Sequence, residues 1–180
     1  MSAMRSLSAA LAAVSLAACS SGGGMSHHAA SNAPLAQEVR RVTEKYQDVS
    51  VATAAGYALF LGCVSSPQVG AMGIHYVNAE LVGDGKIDAA RPEALMYEPR
   101  GGKLELVGVE YIVLASAWDG TSKTPPTLMG QLFHYNPAPN RYGIPAFYAL
   151  HVWAWRSNPD GVFADWNPRV SCAEHRADLP

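Results

Sequence analysis

Hydrophobic and polar positions divide the chain into four stretches. Residues 7–16 are an almost unbroken apolar run, and residues 20–33 are small and nearly uncharged. Residues 34–56 carry a helical stripe, and from residue 71 onward apolar residues gather in strand-length blocks. Pro34 stands at a favoured first helical position, and Leu35, Val39, Val42, Tyr46 and Val49 recur at intervals of three and four. Glu38, Arg40, Arg41, Glu44 and Lys45 fill the other faces. The stripe predicts a helix packed on a core, then a short second helix capped by Asp48 and ended near Gly56. The later blocks predict strands: residues 72–81 (MGIHYVNAEL), 104–117 (LELVGVEYIVLASA), 127–135 (TLMGQLFHY) and 146–156 (AFYALHVWAWR). Turn signals bound them at Gly83-Asp84-Gly85, Pro99-Arg-Gly-Gly102, Asp119-Gly120, Pro125-Pro126, Asn136-Pro137 and Asn158-Pro159. Residues 95–97 add a strand that pairs as a hairpin with the one from Leu104. Strands with no helices between them imply an antiparallel sheet. The predicted fold is therefore α+β, an N-terminal helical segment packed on a curved antiparallel sheet or incomplete β-barrel. It forms a single globular domain over residues 34–180.

The apolar run near the front is too short to span a bilayer. With Arg5 ahead of it, residues 1–18 read as a signal peptide. It ends in Leu16-Ala17-Ala18-Cys19, which resembles the lipobox of bacterial lipoproteins. That resemblance implies cleavage before Cys19 and acylation of its thiol, hence a membrane partner. Ser20 after it resembles lipoproteins sent to an outer membrane, facing the periplasm. Residues 19–33 then serve as a flexible Gly/Ser tether, in which His27 and His28 are an incidental polar pair.

Composition narrows the classes. The chain has 180 residues, 49% hydrophobic and 16% charged, and a formal net charge of −2. That charge is too small for nucleic-acid binding by counterion release, and the hydrophobicity is too high for a disordered chain. With Cys19 acylated, Cys63 and Cys172 remain as an even pair in an oxidising compartment, the setting for a disulfide. It would tie the end of the helical region to the C-terminus.

Three ionisable residues interrupt otherwise apolar strands: His75, Glu110 and His151. Both faces of the Glu110 segment are apolar, so the strand is expected to be central and its carboxyl buried with a partner. In each case the same-face residue two positions earlier is small (Gly73, Gly108, Ala149), which suggests a hollow beside each polar group. Two His and one Glu converging on the concave face suffice to hold a divalent ion such as zinc or iron. Without metal they form an acid–base set. Trp153 and Trp155, at His151's parity, form a candidate ligand wall. His134 is a reserve ligand, and the acid-bearing loop over residues 158–167 lacks EF-hand spacing. HExxH and CxxC spacings are absent from the sequence, so the same residues also fit a role confined to core ion pairing.

The segments Tyr46-Gln-Asp48, Ala55-Gly56-Tyr57, Met72-Gly-Ile-His75-Tyr-Val77, Pro92-Glu93-Ala-Leu95, Val109-Glu110-Tyr111, Leu150-His151-Val-Trp153-Ala-Trp155 and Asn158-Pro159 resemble a family of uncharacterised bacterial secreted proteins and lipoproteins, over about residues 35–172. The resemblance implies a secreted bacterial origin and carries no activity. The expectation is a lipid-anchored envelope protein binding a small polar ligand or divalent ion through His75, Glu110 and His151. Two alternatives stand beside it: a small hydrolase, lyase or oxygenase using the same groups, and a structural or interaction module without chemistry.

Overall fold

The structure, a computed structural model, describes residues 33–175. The expectations for the signal peptide, for Cys19 and for most of the tether lie outside the described residues. The stripe after Pro34 forms α1 (Pro34–Thr43), which buries Leu35, Ala36 and Val39. A 3-10 turn (Glu44–Gln47) carries Tyr46 into the core. Asp48 then caps α2 (Val49–Ala54), its carboxylate accepting from the Ser50 amide at 2.9 Å. The chain leaves this helix through Gly56 at φ +91°, a conformation that favours glycine.

Eight strands follow. They are β1 (Ala58–Ser66), β2 (Gly70–Val77), β3 (Ala94–Arg100), β4 (Lys103–Leu114), β5 (Thr127–Leu128), β6 (Gln131–Leu132), β7 (His134–Asn136) and β8 (Phe147–Val152). Six of them form one antiparallel sheet in the order β1-β2-β3-β4-β8-β7, strongly curled into a half-barrel. The predicted α+β fold with a curved antiparallel sheet is what the chain adopts.

Several blocks are shorter than their apolar runs. The second strand stops at Val77 because the Asn78 side chain accepts from the Glu80 and Leu81 amides, starting α3 (Ala79–Gly83). Likewise β4 gives way to α4 (Ala115–Trp118), rich in the best helix former. Residues 127–135 break into three pieces, because Met129 and Gly130, at φ +48° and +82°, make the two-residue turn between β5 and β6. Strand β1, unanticipated from the pattern, is an edge strand with Leu59 and Phe60 exposed. Cys63 lies in it, so the predicted Cys63–Cys172 disulfide ties the sheet edge, not the helical region, to the C-terminal segment. Its Cα atoms are 5.6 Å apart, and the 109-residue separation gives about 4–5 kcal/mol in the loop-entropy account.

Alternation gives the sheet two faces. The helices cover the face bearing Ile74, Tyr76, Leu95, Tyr97, Val109 and Tyr111, and this is the main core. Tyr97 fixes the packing, its hydroxyl donating to the Tyr46 carbonyl at 2.7 Å. On the other face lie His75, Ala94, Met96, Glu110, Ile112 and His151.

Glu93, just before β3, is 2% exposed and accepts from the Ile112 amide at 3.0 Å. Burial pushes its carboxyl up to about 8, against the opposing pull of that amide. A carboxyl raised in the folded state stabilises below its unfolded value, and that contribution is lost as pH rises through the folded one. Stability should therefore fall from about pH 4.5 towards pH 8, by at most about 1.4 kcal/mol per pH unit from this group. In urea denaturation at several pH values, Glu93→Gln is expected to flatten that slope; an unchanged slope would remove Glu93 as its source.

Candidate metal centre

Register brings the three candidate residues together. Glu110 on β4 lies directly opposite His151 on β8 and, on its other side, opposite Ala94 on β3. His75 on β2 pairs with Met96, two residues further along β3. The intervening strand puts only the methyl of Ala94 opposite Glu110, and His75 reaches the carboxylate diagonally across it. His75 Nε2 is 3.5 Å from Glu110 Oε2, and His151 Nε2 is 3.6 Å from Glu110 Oε1. One donor atom from each of the three lies within 4.8 Å of the other two. All three side chains are less than one-tenth exposed.

Two donors bound tetrahedrally at about 2.1 Å from one ion stand about 3.4 Å apart. The two contacts end on different oxygens of Glu110, each close to that spacing and longer than a hydrogen bond, so the carboxylate lies between the two imidazoles. His151 Nε2 is fully buried with no hydrogen-bond partner. Such an atom is costly unless something satisfies it, and a ligated cation would do so. The donor set is two imidazoles and one carboxylate. These residues could hold a divalent metal ion.

The groups differ in charge. Burial, reinforced by His151, lowers His75 to about 3, so its imidazole is neutral and available as a ligand. Burial raises Glu110, against the attraction of His151. For His151 burial alone would lower the value, but Glu110 and Asp165 overcome it and the net shift is upward.

Asp165, which the pattern along the chain placed only in an acid-bearing loop, proves to be part of this constellation. Its Oδ1 lies 3.4 Å from His151 Nδ1 and 2.9 Å from Nδ1 of the exposed His134. The loop is pinned beside His151: the Trp153 indole donates to the Ala164 carbonyl at 2.6 Å and the Trp153 amide to the Val162 carbonyl at 2.9 Å. Nδ1 of His151 makes no hydrogen bond of good geometry; the approach is an ion-pair contact, from the side where a carboxylate could turn the ring so that Nε2 faces Glu110, as in the carboxylate–histidine pairs of metal sites. His134 is thus Asp165's outer partner and contacts none of the three donors directly.

The candidate ligand wall is arranged otherwise. Trp153 stacks near His151, with centroids 6.4 Å apart and planes at 15°, but it is buried in a small core with Met96 and Val107. Trp155 packs into the main core and donates to Thr43 Oγ1 at 3.0 Å. The strand ends at Val152, and the amides of Trp155 and Arg156 both turn to the Val107 carbonyl, so strand parity no longer applies there. The small residues also play another part. A Cβ on Gly73 would stand 2.5 Å from the Tyr97 carbonyl oxygen, and one on Gly108 2.6 Å from that of Val152. Glycine serves close backbone approach at these positions, and Ala149 packs in a small core with Ala94, Ile112 and Phe147.

The hollow lies elsewhere on the same face. A cavity of about 380 Å³ has His75 and Glu110 in its wall, with Val77, Ile112, Leu114 and Phe147 among the apolar residues beside them. Its lining also includes Leu59 and Phe60 of β1 and Tyr142, Ile144 and Pro145, but neither His151 nor any residue of the loop 116–127.

In comparison with known proteins, no family model, no curated protein and no solved structure matches the chain.

Asp165→Asn removes the carboxylate from His151 Nδ1 while leaving a surface loop of similar shape. Its removal should lower the pH at which the His151 imidazole titrates, read by NMR of the ring nitrogens in metal-free protein. With the folded value raised, the contribution of protonated His151 is fully present below its unfolded value and is lost as pH rises through the folded one. The variant should accordingly lose stability below that value and match wild type above it. An unmoved titration would show that Asp165 does not orient His151.

Proposed function

We propose that this protein is a bacterial envelope protein, anchored by lipid at Cys19, that holds a divalent metal ion between His75, Glu110 and His151. The observation that carries the metal reading is the pair of contacts from Glu110 to two buried imidazoles at metal-ligand spacing, with His151 Nε2 otherwise unsatisfied. Zinc or ferrous iron suits the donor set, and three protein ligands leave room for water or a substrate on the ion. When bound, the ion would act as a Lewis acid beside the cavity. Asp165 orients His151, and Trp153 screens that ring from solvent. The anchor reading draws on the lipobox, and the disulfide fits an oxidising compartment.

Isothermal titration of zinc into metal-free protein at pH 7.5 tests the centre. One equivalent should bind, and His75→Ala and Glu110→Gln should each weaken it by more than about 100-fold, beyond the loss expected from an outer hydrogen bond. Affinity that both variants leave unchanged would place the metal elsewhere, and the absence of binding to wild type would end the reading. Because His151 must lose a proton to ligate, affinity should fall as pH drops from 7.5 to 6.

The anchor is tested independently. Cys19→Ser should move the protein from the membrane to the soluble fraction of bacterial cells. Retention on the membrane would show another means of attachment.

A further inference from the structure

The cavity beside the metal centre is more selective than its size suggests. Of the residues in its wall, only His75, Glu110 and Tyr142 carry a polar side-chain nitrogen or oxygen, and none is cationic. The Tyr142 hydroxyl sits 3.7 Å from Met72 Sδ, and its ring packs edge-on against Phe147 with centroids 5.9 Å apart. Aliphatic and aromatic side chains make up most of the remaining wall, contributed by β1, β2, α3, β4, β8 and the segment 142–145. At the rim, Leu59 and Phe60 remain 52% and 46% exposed on an edge strand. Exposed hydrocarbon at a pocket mouth, continuous with an apolar interior, is the mark of a surface that receives an apolar molecule. Polar recognition is confined to the centre.

We propose that the cavity binds a small hydrophobic molecule with a single uncharged hydroxyl or carbonyl group, its hydrocarbon against Ile112, Leu114 and Phe147 and its polar end at His75 and Glu110. The volume of about 380 Å³ holds on the order of ten to fifteen non-hydrogen atoms, taking about 30 Å³ for each water-sized unit. The head group is uncharged for a definite reason. A carboxylate entering the metal-free cavity would meet Glu110 with no Lys or Arg in the wall to balance it, and a hydroxyl or carbonyl avoids that cost. This deepens the metal reading by naming what would stand beside the ion. It rests on that reading only for the contact between head group and metal, since the apolar half of the site does not need the ion.

The test uses the full chain carrying Cys19→Ser, disulfide intact and stripped of metal, with 1-decanol, decanoate and zinc as probes in separate titrations. Decanol should bind with a dissociation constant on the order of 10 μM, and at least about tenfold more tightly than decanoate. Leu114→Trp and Ile144→Trp fill the cavity from two different walls, and each should weaken decanol by at least about tenfold while zinc affinity holds. Ile144 lies in a connecting segment, so its variant keeps the test decisive if Leu114→Trp does not fold. His75→Ala should weaken zinc by more than about 100-fold and, because the head group rests on the same ring, should weaken decanol as well. No decanol binding to wild type, or binding that folded Ile144→Trp leaves unchanged, overturns the proposal. Decanoate bound as tightly as decanol overturns the head-group assignment. Decanol binding without zinc binding would sink the metal reading alone and leave this inference standing.

Discussion

A carboxylate removed from water must acquire either a proton or a cation, and Glu110 meets that requirement where the sheet leaves no other choice. It sits in the middle of β4, flanked by β3 and β8, and is 7% exposed. Among the described residues no Lys or Arg contacts it, and its ion contacts are the imidazoles of His75 and His151. Much of the surrounding architecture follows from arranging that meeting. The direct opposition of Glu110 and His151 fixes the β4–β8 register, because a slip of one residue would turn His151 into the helix-covered core. Ala94 opposite Glu110 and Gly108 opposite Met96 keep β3 low enough for His75 to reach across it.

The division of the two faces is the second consequence. The main core, built on Tyr97, Tyr111 and the aliphatic residues around them, takes the helices and supplies most of the buried apolar area. The opposite face can therefore carry polar groups and an open cavity, because the main core lies on the other side. The C-terminal segment completes this face: the disulfide ties it to β1, Asn167 bridges to Ala71 through reciprocal backbone hydrogen bonds at 3.2 Å, and Ser171 donates its amide to buried Glu98 at 2.9 Å. Just ahead of these anchors, between the Trp153 hydrogen bonds to Val162 and Ala164 and the Asn167 bridge, Asp165 meets His151.

The residues of the centre were legible in the sequence for a physical reason. His75, Glu110 and His151 each break an apolar alternation that nothing else explains, and burying an ionisable group is too costly to occur without a partner. The Cys63–Cys172 bridge was legible from parity and compartment. What escaped was set by long-range geometry. Asp165 lies 14 residues beyond His151 in a loop whose course depends on the Trp153 hydrogen bonds. Strand β1 was missed because Leu59, Phe60 and Leu61 follow one another without period, as befits an edge strand facing a cavity. Trp155 was misassigned because alternation holds only while a strand lasts, and β8 ends three residues earlier. Gly73 and Gly108 were read as space for a ligand, whereas neighbouring carbonyls already fill that space.

The opposite shifts of the two histidines tie the electrostatics to the chemistry. If both imidazoles were neutral, Glu110 would lack a counter-charge and would tend to keep its proton. If both were protonated, two cations would crowd one carboxylate with hydrocarbon on the remaining sides. The structure separates them: His75 is lowered by burial and by its neighbour, while His151 is raised by two carboxylates. In the metal-free centre Glu110 and Asp165 favour the protonated form of His151 against its burial. A divalent cation entering there takes over the role of that proton, with more charge and a matching donor spacing. Since Asp165 remains on Nδ1 after the exchange, the ring need not rotate. A proton and an ion would thus compete for the same nitrogen, and because His151 is shifted upward and His75 downward, the pH dependence of affinity should run through His151 more than through His75.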